Sequence, residues 1–486
     1  MRWSVVFFII GITNMLLGSL MFIPMTVDYI THNTASADTF MACGLSTIFV
    51  GLALSSFSHH SAEHHPSLRE MFVITSFIWF SSAIFSALPF YFSSLKISLT
   101  DSIFESVSGL STTGSTVLGN LSTFPKGLLV WRGMIQWLGG VGIVILAITL
   151  LPFLHIGGMQ LFATENSDRS GKDSAFVASK MKSILGVYLI ISILCFISLY
   201  LAGMGIFDAL VHAMTCVSTG GFSNYDDSIA HFTSPAIHWV LITFMLIGGL
   251  PLLFTWSFLT RNWQKIKSER QAHTFLCFLA CLILSISVIF FFVRSAFPTF
   301  EETLRQTAFA TISIITTTGY VLSDYTHWGS FFVVFFFFLT CVGSCTGSTS
   351  GGIKFFRFSI LFKMLKKHLS LMLTPHAVIV PRYNDRPVTD EIIQSVISFM
   401  SLFCLTTLFC SLVLATAGAD FVTSLSASLT AIANVGPGIG SVVGPDKTFA
   451  TLPDVSKWAL ALTMMLGRLE FMTIIVLLLP QLWRKK

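Results

Sequence analysis

The chain has 486 residues, 53% of them hydrophobic and 10% charged, with 48 phenylalanines, and its mean hydropathy is +0.79. A soluble domain carries about 25% charged residues, so a soluble protein is excluded, and no stretch is polar enough to add a second, soluble domain. The net charge of +5 is explained by where Lys and Arg fall around the apolar runs and calls for no nucleic-acid partner.

A helix of ~20 apolar residues crosses the ~30 Å hydrocarbon core of a bilayer. Ten such crossings are expected, at 3–23, 38–58, 71–92, 127–154, 183–204, 236–259, 273–295, 328–362, 389–417 and 455–482. The first run is too long for a signal-peptide core and lacks an A-x-A cleavage pattern, so it is expected to remain as a helix. After the second run, His59, His60, Glu63, His64 and His65 cluster. Their spacing could hold a metal, and a solvated linker accounts for them as well. The nine cysteines nearly all lie in apolar runs, including the i,i+4 pairs Cys277/Cys281 and Cys341/Cys345. They read as buried free thiols with no disulfide framework.

Four weaker segments lie between the crossings, at about 101–112, 207–218, 301–316 and 420–433, and each is opened by an acid: Asp101, Asp208, Glu301/Glu302 and Asp420. An acid at a helix N-terminus caps free N–H groups and suits the helix dipole. Each segment then runs into a short Thr/Ser- and Gly-rich loop. The loops contain Thr112-Thr113-Gly114, Ser218-Thr219-Gly220, Thr317-Thr318-Gly319 and Asn434-Val435-Gly436, and aligning their last glycines gives steps of 106, 99 and 117 residues. A capped helix ending at such a loop reads as a re-entrant pore helix, whose C-terminal dipole favours a cation. Irregular backbone at membrane depth is tolerated only inside protein or against water. Small residues are also common at helix-packing positions in membranes, but four copies in equivalent places form a repeat. The expected fold is an all-α membrane protein with two leading helices (1–66) and four units of helix, pore helix, filter loop and helix. These units fall at 67–160, 161–262, 263–368 and 369–486, around one pseudo-fourfold pore.

With the N-terminus inside and the re-entrant segments entering from outside, 20 Lys and Arg fall on inner stretches and 6 on outer ones, with Arg132 and Arg468 inside helices. This is a positive-inside bias; it places both termini in the cytoplasm and the four loops at the outer side. Backbone carbonyls of the loop residues would stack in rings of four, replacing the hydration shell of a cation. Glycine suits a strand that turns its carbonyls inward.

Two further features suggest a gate. The eighth run is interrupted by a Gly/Ser-rich stretch at 343–354, containing Gly343, Gly347, Ser348, Thr349, Gly351 and Gly352. Glycines inside a helix cost about 1 kcal/mol each relative to alanine, so this stretch is expected to be an intramembrane loop facing protein or water. It is not a nucleotide-binding loop, because Ile353 stands where the motif requires Lys. Arg468 sits near the middle of the last run; a charge there costs at least ~2.5 kcal/mol and should face the interior. It is either half of an ion pair, for instance with Glu470, or a fixed positive charge below the filter. Asp226 and Asp227, after the second loop, could enrich cations at the outer mouth.

At Thr-Thr-Gly (112–114), Ser-Thr-Gly-Gly-Phe-Ser (218–223), Thr-Thr-Gly-Tyr (317–320) and Asn-Val-Gly-Pro-Gly (434–438), the chain resembles the Trk/Ktr/HKT superfamily of potassium-translocating subunits. Over its whole length it is most similar to the TrkH type, which shares the two leading helices. The resemblance implies potassium uptake across a bacterial inner membrane, with K+ as the transported ion and no cofactor. It also implies a third-repeat loop that obstructs the closed pore, an Arg468 that narrows it, a homodimer, and a cytosolic TrkA-like nucleotide-binding ring as partner. Gly114 favours potassium, since similar sodium-preferring plant proteins carry Ser there. Asn434-Val435 departs from the hydroxyl pattern, so the ring is not truly fourfold and potassium over sodium preference is expected to be modest. A proton- or sodium-coupled alternating-access symporter is the alternative. Its usual signature is inverted repeats with broken spans, against four parallel repeats and one clearly broken span here. An enzyme is not expected, because His212 and Glu470 are too isolated to form a reactive centre.

Overall fold

In a computed structural model, residues 1–56, 67–154, 174–294, 297–383 and 386–484 are described. The His59–His65 cluster and most of residues 155–182, between the expected fourth and fifth crossings, lie outside them. The described residues form helices joined by short loops, plus one small hairpin pairing Arg382–Tyr383 with Arg386–Pro387.

The leading helices are Trp3–Leu20, continued after Met21 by Phe22–Ile30, and Thr34–Ser56. They touch backbone to backbone: a Cβ added at Gly11 would sit 2.7 Å from the Gly51 carbonyl oxygen. Small residues allow such approach where lipid offers no hydrophobic drive for association. Ser67 caps Leu68–Tyr91 through a reciprocal box with Glu70, and Glu70 also pairs with Arg2 at 3.0 Å.

Four helices fall where the re-entrant segments are expected: Leu99–Leu110, Ile206–Val217, Phe300–Ile315 and Phe421–Ala433. Their acids act differently from the expectation. Only Asp420 is itself the N-cap, accepting from Thr423 N. Ser98 and Thr299 cap the first and third helices, which frees Asp101 to pair with Lys457 at 2.6 Å and Glu301 to pair with Arg305 at 3.1 Å. Asp208 lies in the first turn and accepts from Tyr225 and Asn224.

By length and apolarity, seven helices among the described residues can cross a membrane, or eight if one bent pair counts as a span, so that measure does not reach ten. The shortfall comes from breaks in the later pore-lining helices. The run at 236–259, expected to be continuous, is Pro235–Gly249 and Leu252–Leu259, bent by 111°; Pro251 cannot donate to the preceding turn. The eighth run is Ser330–Thr340 and Phe355–Leu373 around the Gly/Ser-rich loop. The last run ends its first helix, Asp454–Arg468, at Arg468 and restarts at Met472, with Glu470 and Phe471 both at φ 55°. Arg468 therefore terminates a helix rather than sitting inside one.

Two large apolar cores flank the axis. One gathers the second and third repeats with part of the fourth, and the other joins the leading helices to the first and fourth repeats. Five cysteines are buried and Cys341 is partly so, but Cys277, Cys281 and Cys404 are exposed. An apolar run in a membrane protein has an outward face that is as apolar as its core.

Candidate functional site

The four pore helices end in one hydrogen-bond pattern. Thr113 N returns to Ser108 O, Gly220 N to Thr215 O, Thr318 N to Ser313 O and Val435 N to Thr430 O, at 2.8–3.1 Å. The residue before each of these is left-handed: Thr112 (φ 53°), Thr219 (54°), Thr317 (57°) and Asn434 (55°). The residue after each is a glycine at positive φ: Gly114 (83°), Gly221 (75°), Gly319 (79°) and Gly436 (109°). Gly221, not Gly220, is thus the equivalent of Gly114, and Gly220 takes the place of Thr113. The second loop has two adjacent glycines, and spacing alone cannot choose between them; the backbone does. Ser218 accordingly stands with Ser111 and Thr316 at the helix end.

A left-handed non-glycine residue costs about 1–3 kcal/mol and persists where its surroundings over-determine it. Three of these residues are β-branched threonines, for which the cost is greatest. Asparagine tolerates the conformation, so Asn434 fits the backbone even though it breaks the hydroxyl pattern.

The loops form a closed cycle in chain order. A Cβ added at Gly114 would collide with the Gly220 carbonyl oxygen, at Gly221 with that of Thr318, at Gly319 with that of Val435, and at Gly436, 2.6 Å away, with that of Thr113. Hydrogen bonds close the ring between the last loop and the first: Ser115 Oγ donates to Gly436 O at 2.8 Å, and Asn434 Nδ2 to Thr113 Oγ1 at 2.9 Å. Thr113, Thr318 and Val435 are fully buried. Yet no protein donor among the described residues reaches their carbonyls, or those of Gly114, Gly221 and Gly319. Buried carbonyls are rarely left unpaired, and a ring of them is a ligand set for a dehydrated monovalent cation. The pore helices all end at this ring, adding the negative ends of their dipoles.

The stretch at 343–354 is packed against the helix ends of this ring. Thr349 Oγ1 lies 3.2 Å from the Thr219 hydroxyl and from the carbonyls of Val217 and Gly248. Gly351 N donates to Thr317 Oγ1 at 2.7 Å, and a Cβ at Gly351 would stand 2.7 Å from Ala433 O. Gly347 and Gly352 have positive φ. Ser348 bonds Cys345 O at 2.6 Å and Ser350 at 2.8 Å, and Lys354 bonds the Ser350 carbonyl. Gly343 N pairs with Ile353 O, closing the loop's neck. The loop also satisfies the break in the second repeat: Cys345 N, Thr349 N and Leu252 N bond Gly249 O, Gly248 O and Gly347 O.

Arg468, 2% exposed, donates to Thr349 O at 2.9 Å and Gly139 O at 3.2 Å. Glu470 is not its partner, since that carboxylate pairs with Arg357 at 2.8 Å. Arg357 and Lys354, assigned by sequence to an inner stretch, are instead buried at the end of the loop.

After the second loop, Asp226 accepts from Leu121 N, and Asp227 lies 3.8 Å from His231. Burial, and then the hydrogen bond to Asp208, push the Tyr225 phenol up to about 12. Sequence reasoning missed Gln136, which donates to Gly220 O at 2.6 Å and accepts from Phe222 N at 3.0 Å. It also missed the buried pair of Arg132 and Glu105. Arg132 and Gln136, polar residues inside the otherwise apolar helix Lys126–Leu154, were the available signal; Glu105 lies in a pore helix already rich in polar residues. No cluster of three or more His, Cys, Asp or Glu suited to a metal occurs among the described residues.

Comparison with known proteins gives the family and the fold. The family model described as TrkH, cation transport protein, matches residues 35–485. The chain is 40% identical over its full length, and over 98% of the relative, to the Trk system potassium uptake protein TrkI of Halomonas elongata. It is 32% identical to the Trk system potassium uptake protein TrkH of Salmonella typhimurium, over 98% of each chain. The crystal structure of the potassium transporter TrkH from Vibrio parahaemolyticus is similar over the whole of both chains, with a TM-score of 0.89 and 29% identity.

Proposed function

The chain belongs to the TrkH family of cation transport proteins, and from that premise we propose that it takes up potassium through the ring of four loops, gated by the stretch at 343–354 together with Arg468. The observation that carries this reading is the closed cycle of carbonyls that no protein donor among the described residues reaches, buried at Thr113, Thr318 and Val435 and half-buried at Gly114, Gly221 and Gly319. Potassium passes such a ring by exchanging hydration water for these oxygens. Drawn down its electrochemical gradient, each ion gains ~2.3 kcal/mol per 100 mV of membrane potential. Arg468 and the loop, fastened to three of the four pore-helix ends, hold the path shut. The ion-binding set is Thr112–Gly114, Thr219–Gly221, Thr317–Gly319 and Asn434–Gly436.

The setting is a bacterial inner membrane with both termini in the cytoplasm, as the inward bias of Lys and Arg supports. A second copy of the chain and a cytosolic TrkA-like nucleotide-binding ring complete the assembly. The basic inner segment carrying Arg261, Lys265, Lys267 and Arg270 and the helix carrying Lys363, Lys366 and Lys367 offer the ring a docking face. A coupled alternating-access symporter is the second reading, favoured by one observation: the pore-lining helices of the second, third and fourth repeats are all broken, as discontinuous helices in such transporters are.

The test is ion flux into proteoliposomes holding the purified chain, under a potassium gradient and then a sodium gradient, with Gly221→Ser as control. Potassium-favouring flux weakened by the control supports the filter. Equal flux of both ions removes the potassium assignment. Flux that requires a proton or sodium gradient moves the chain to the symporter reading.

A further inference from the structure

The four filter loops are not held from behind by the same means. The pore-helix residue three positions before Ser108, Thr215, Ser313 and Thr430 is Glu105, His212, Ala310 and Ala427. In the first two repeats this side chain reaches the strand leaving the ring: Glu105 accepts from the Thr116 hydroxyl at 3.0 Å and from Val117 N at 3.1 Å, and His212 Nε2 lies 3.1 Å from Ser223 Oγ. Alanine cannot make such a contact in the other two.

Arg132 then ties the two polar struts together. Its Nε donates to Glu105 Oε1 at 2.8 Å, one terminal nitrogen donates to Ser223 O at 2.8 Å, and the other reaches Thr116 Oγ1 at 3.3 Å. The guanidinium also lies 4.2 Å from the ring centre of Phe222, the residue that follows Gly221. Arg132 and Glu105 are 2% and 0% exposed. One turn on, Gln136 grips the same loop. A guanidinium is the side chain that can serve three acceptors in a fixed plane. Alone it would place a positive charge beside a cation path; paired with Glu105 it adds no net charge.

We infer that Glu105 and Arg132 are positioning residues that lock the first two filter loops to each other and thereby set the ring's preference for potassium over sodium. The inference rests on the filter reading. A carbonyl ring discriminates by the spacing and number of its oxygens, and here half of the ring is fixed by an ionic strut that the other half lacks. Loosening the strut lets the first and second loops close around a smaller ion.

The experiment measures two quantities on the purified full chain: the K+/Na+ flux ratio in proteoliposomes, and the rise in melting temperature given by K+ over Na+ in detergent. The second reads the filter even if the gate is shut. Arg132→Lys keeps the charge but not the fork, and Glu105→Gln keeps the shape but not the charge. Each is expected to lower the flux ratio about tenfold, equivalent to about 1.4 kcal/mol, and to shrink the K+-specific thermal shift. The double variant Glu105→Gln/Arg132→Met removes both charges; it regains throughput relative to Glu105→Gln but not the ratio. Wild-type ratios in Arg132→Lys and in the double variant overturn the inference and leave the pair as core packing. If these variants do not fold, Thr116→Val decides: it removes one hydroxyl, a fall of about threefold supports the strut, on the same scale, and an unchanged ratio overturns it. A wild-type chain with neither K+-favouring flux nor a K+-specific thermal shift overturns the filter reading itself, and the strut with it.

Discussion

Arg468→Ala is expected to open the pore. Arg468 makes two charge-assisted hydrogen bonds, to Thr349 O at 2.9 Å and to Gly139 O at 3.2 Å. A bond from a charged donor contributes about 1.5–3 kcal/mol. Gly139 belongs to the long helix Lys126–Leu154 of the first repeat, so that bond survives when the loop leaves and cancels between closed and open states. Only the bond to Thr349 distinguishes them. Losing about 1.5–3 kcal/mol from the closed state shifts the equilibrium toward open by roughly tenfold to a hundredfold or more. Potassium flux into proteoliposomes should rise by that factor while the pore is mostly shut. Unchanged or lower flux from Arg468→Ala protein that remains monodisperse and keeps its K+-specific thermal shift would refute this account of the gate.

Gly221→Ser should reduce flux by about tenfold more than Gly220→Ser, because a Cβ at Gly221 meets the rigid Thr318 carbonyl at φ 75° and strain there is about 1–3 kcal/mol. A Cβ at Gly220 meets the Gln136 side chain instead, and the reverse order of effects would contradict the register assigned to the second loop. Glu470→Gln leaves Arg357, 1% exposed, without its countercharge. Breaking a buried pair costs about 3–5 kcal/mol, reduced here because the Glu470 side chain is 20% exposed, and calorimetry should show a lower melting temperature. Asp420→Ala removes the one acid that directly caps a pore helix and should cost about 0.5–2 kcal/mol, read as a smaller drop in the same scan.

Much of the architecture was legible because hydropathy and helix-capping chemistry are local. The four pore helices begin and end within two residues of their expected places. What the sequence concealed are consequences of packing. The break after Gly249 is signalled by Gly248-Gly249-Leu250-Pro251, yet the run around it is apolar enough to pass as one span. Its carbonyls are satisfied by a loop about a hundred residues further on, which no local pattern reveals. The register of the second loop was recoverable, since a Thr or Asn two residues before Gly recurs at 112, 219, 317 and 434; left-handed backbone at the first position and positive φ at the third explain that spacing better than the glycine interval does. Arg468 was correctly expected to face inward, but its partners are backbone carbonyls, and nothing in a sequence marks a carbonyl as free to accept.

Building the ring from one chain rather than four identical ones has a mechanical consequence. The loop proposed as the gate belongs to the third repeat, and it touches Thr219, Thr317 and Ala433, whereas among the described residues its hydrogen-bonded link to the first repeat runs through Arg468 and Gly139. The first loop is held instead by Glu105 and Arg132, which join it to the second loop at Ser223. Fourfold identical subunits would place four such loops on the axis, where they would collide, and would give every filter loop the same restraint. On the proposed reading, divergence of the repeats lets one segment block the path, lets a second, broken at Gly249–Leu252, receive it, and leaves the strut between the first and second loops to hold the ring's dimensions. Selectivity and gating then draw on different residues, so substitutions at Glu105 or Arg132 should change which ion passes, and substitutions at Arg468 or Thr349 how often any ion does.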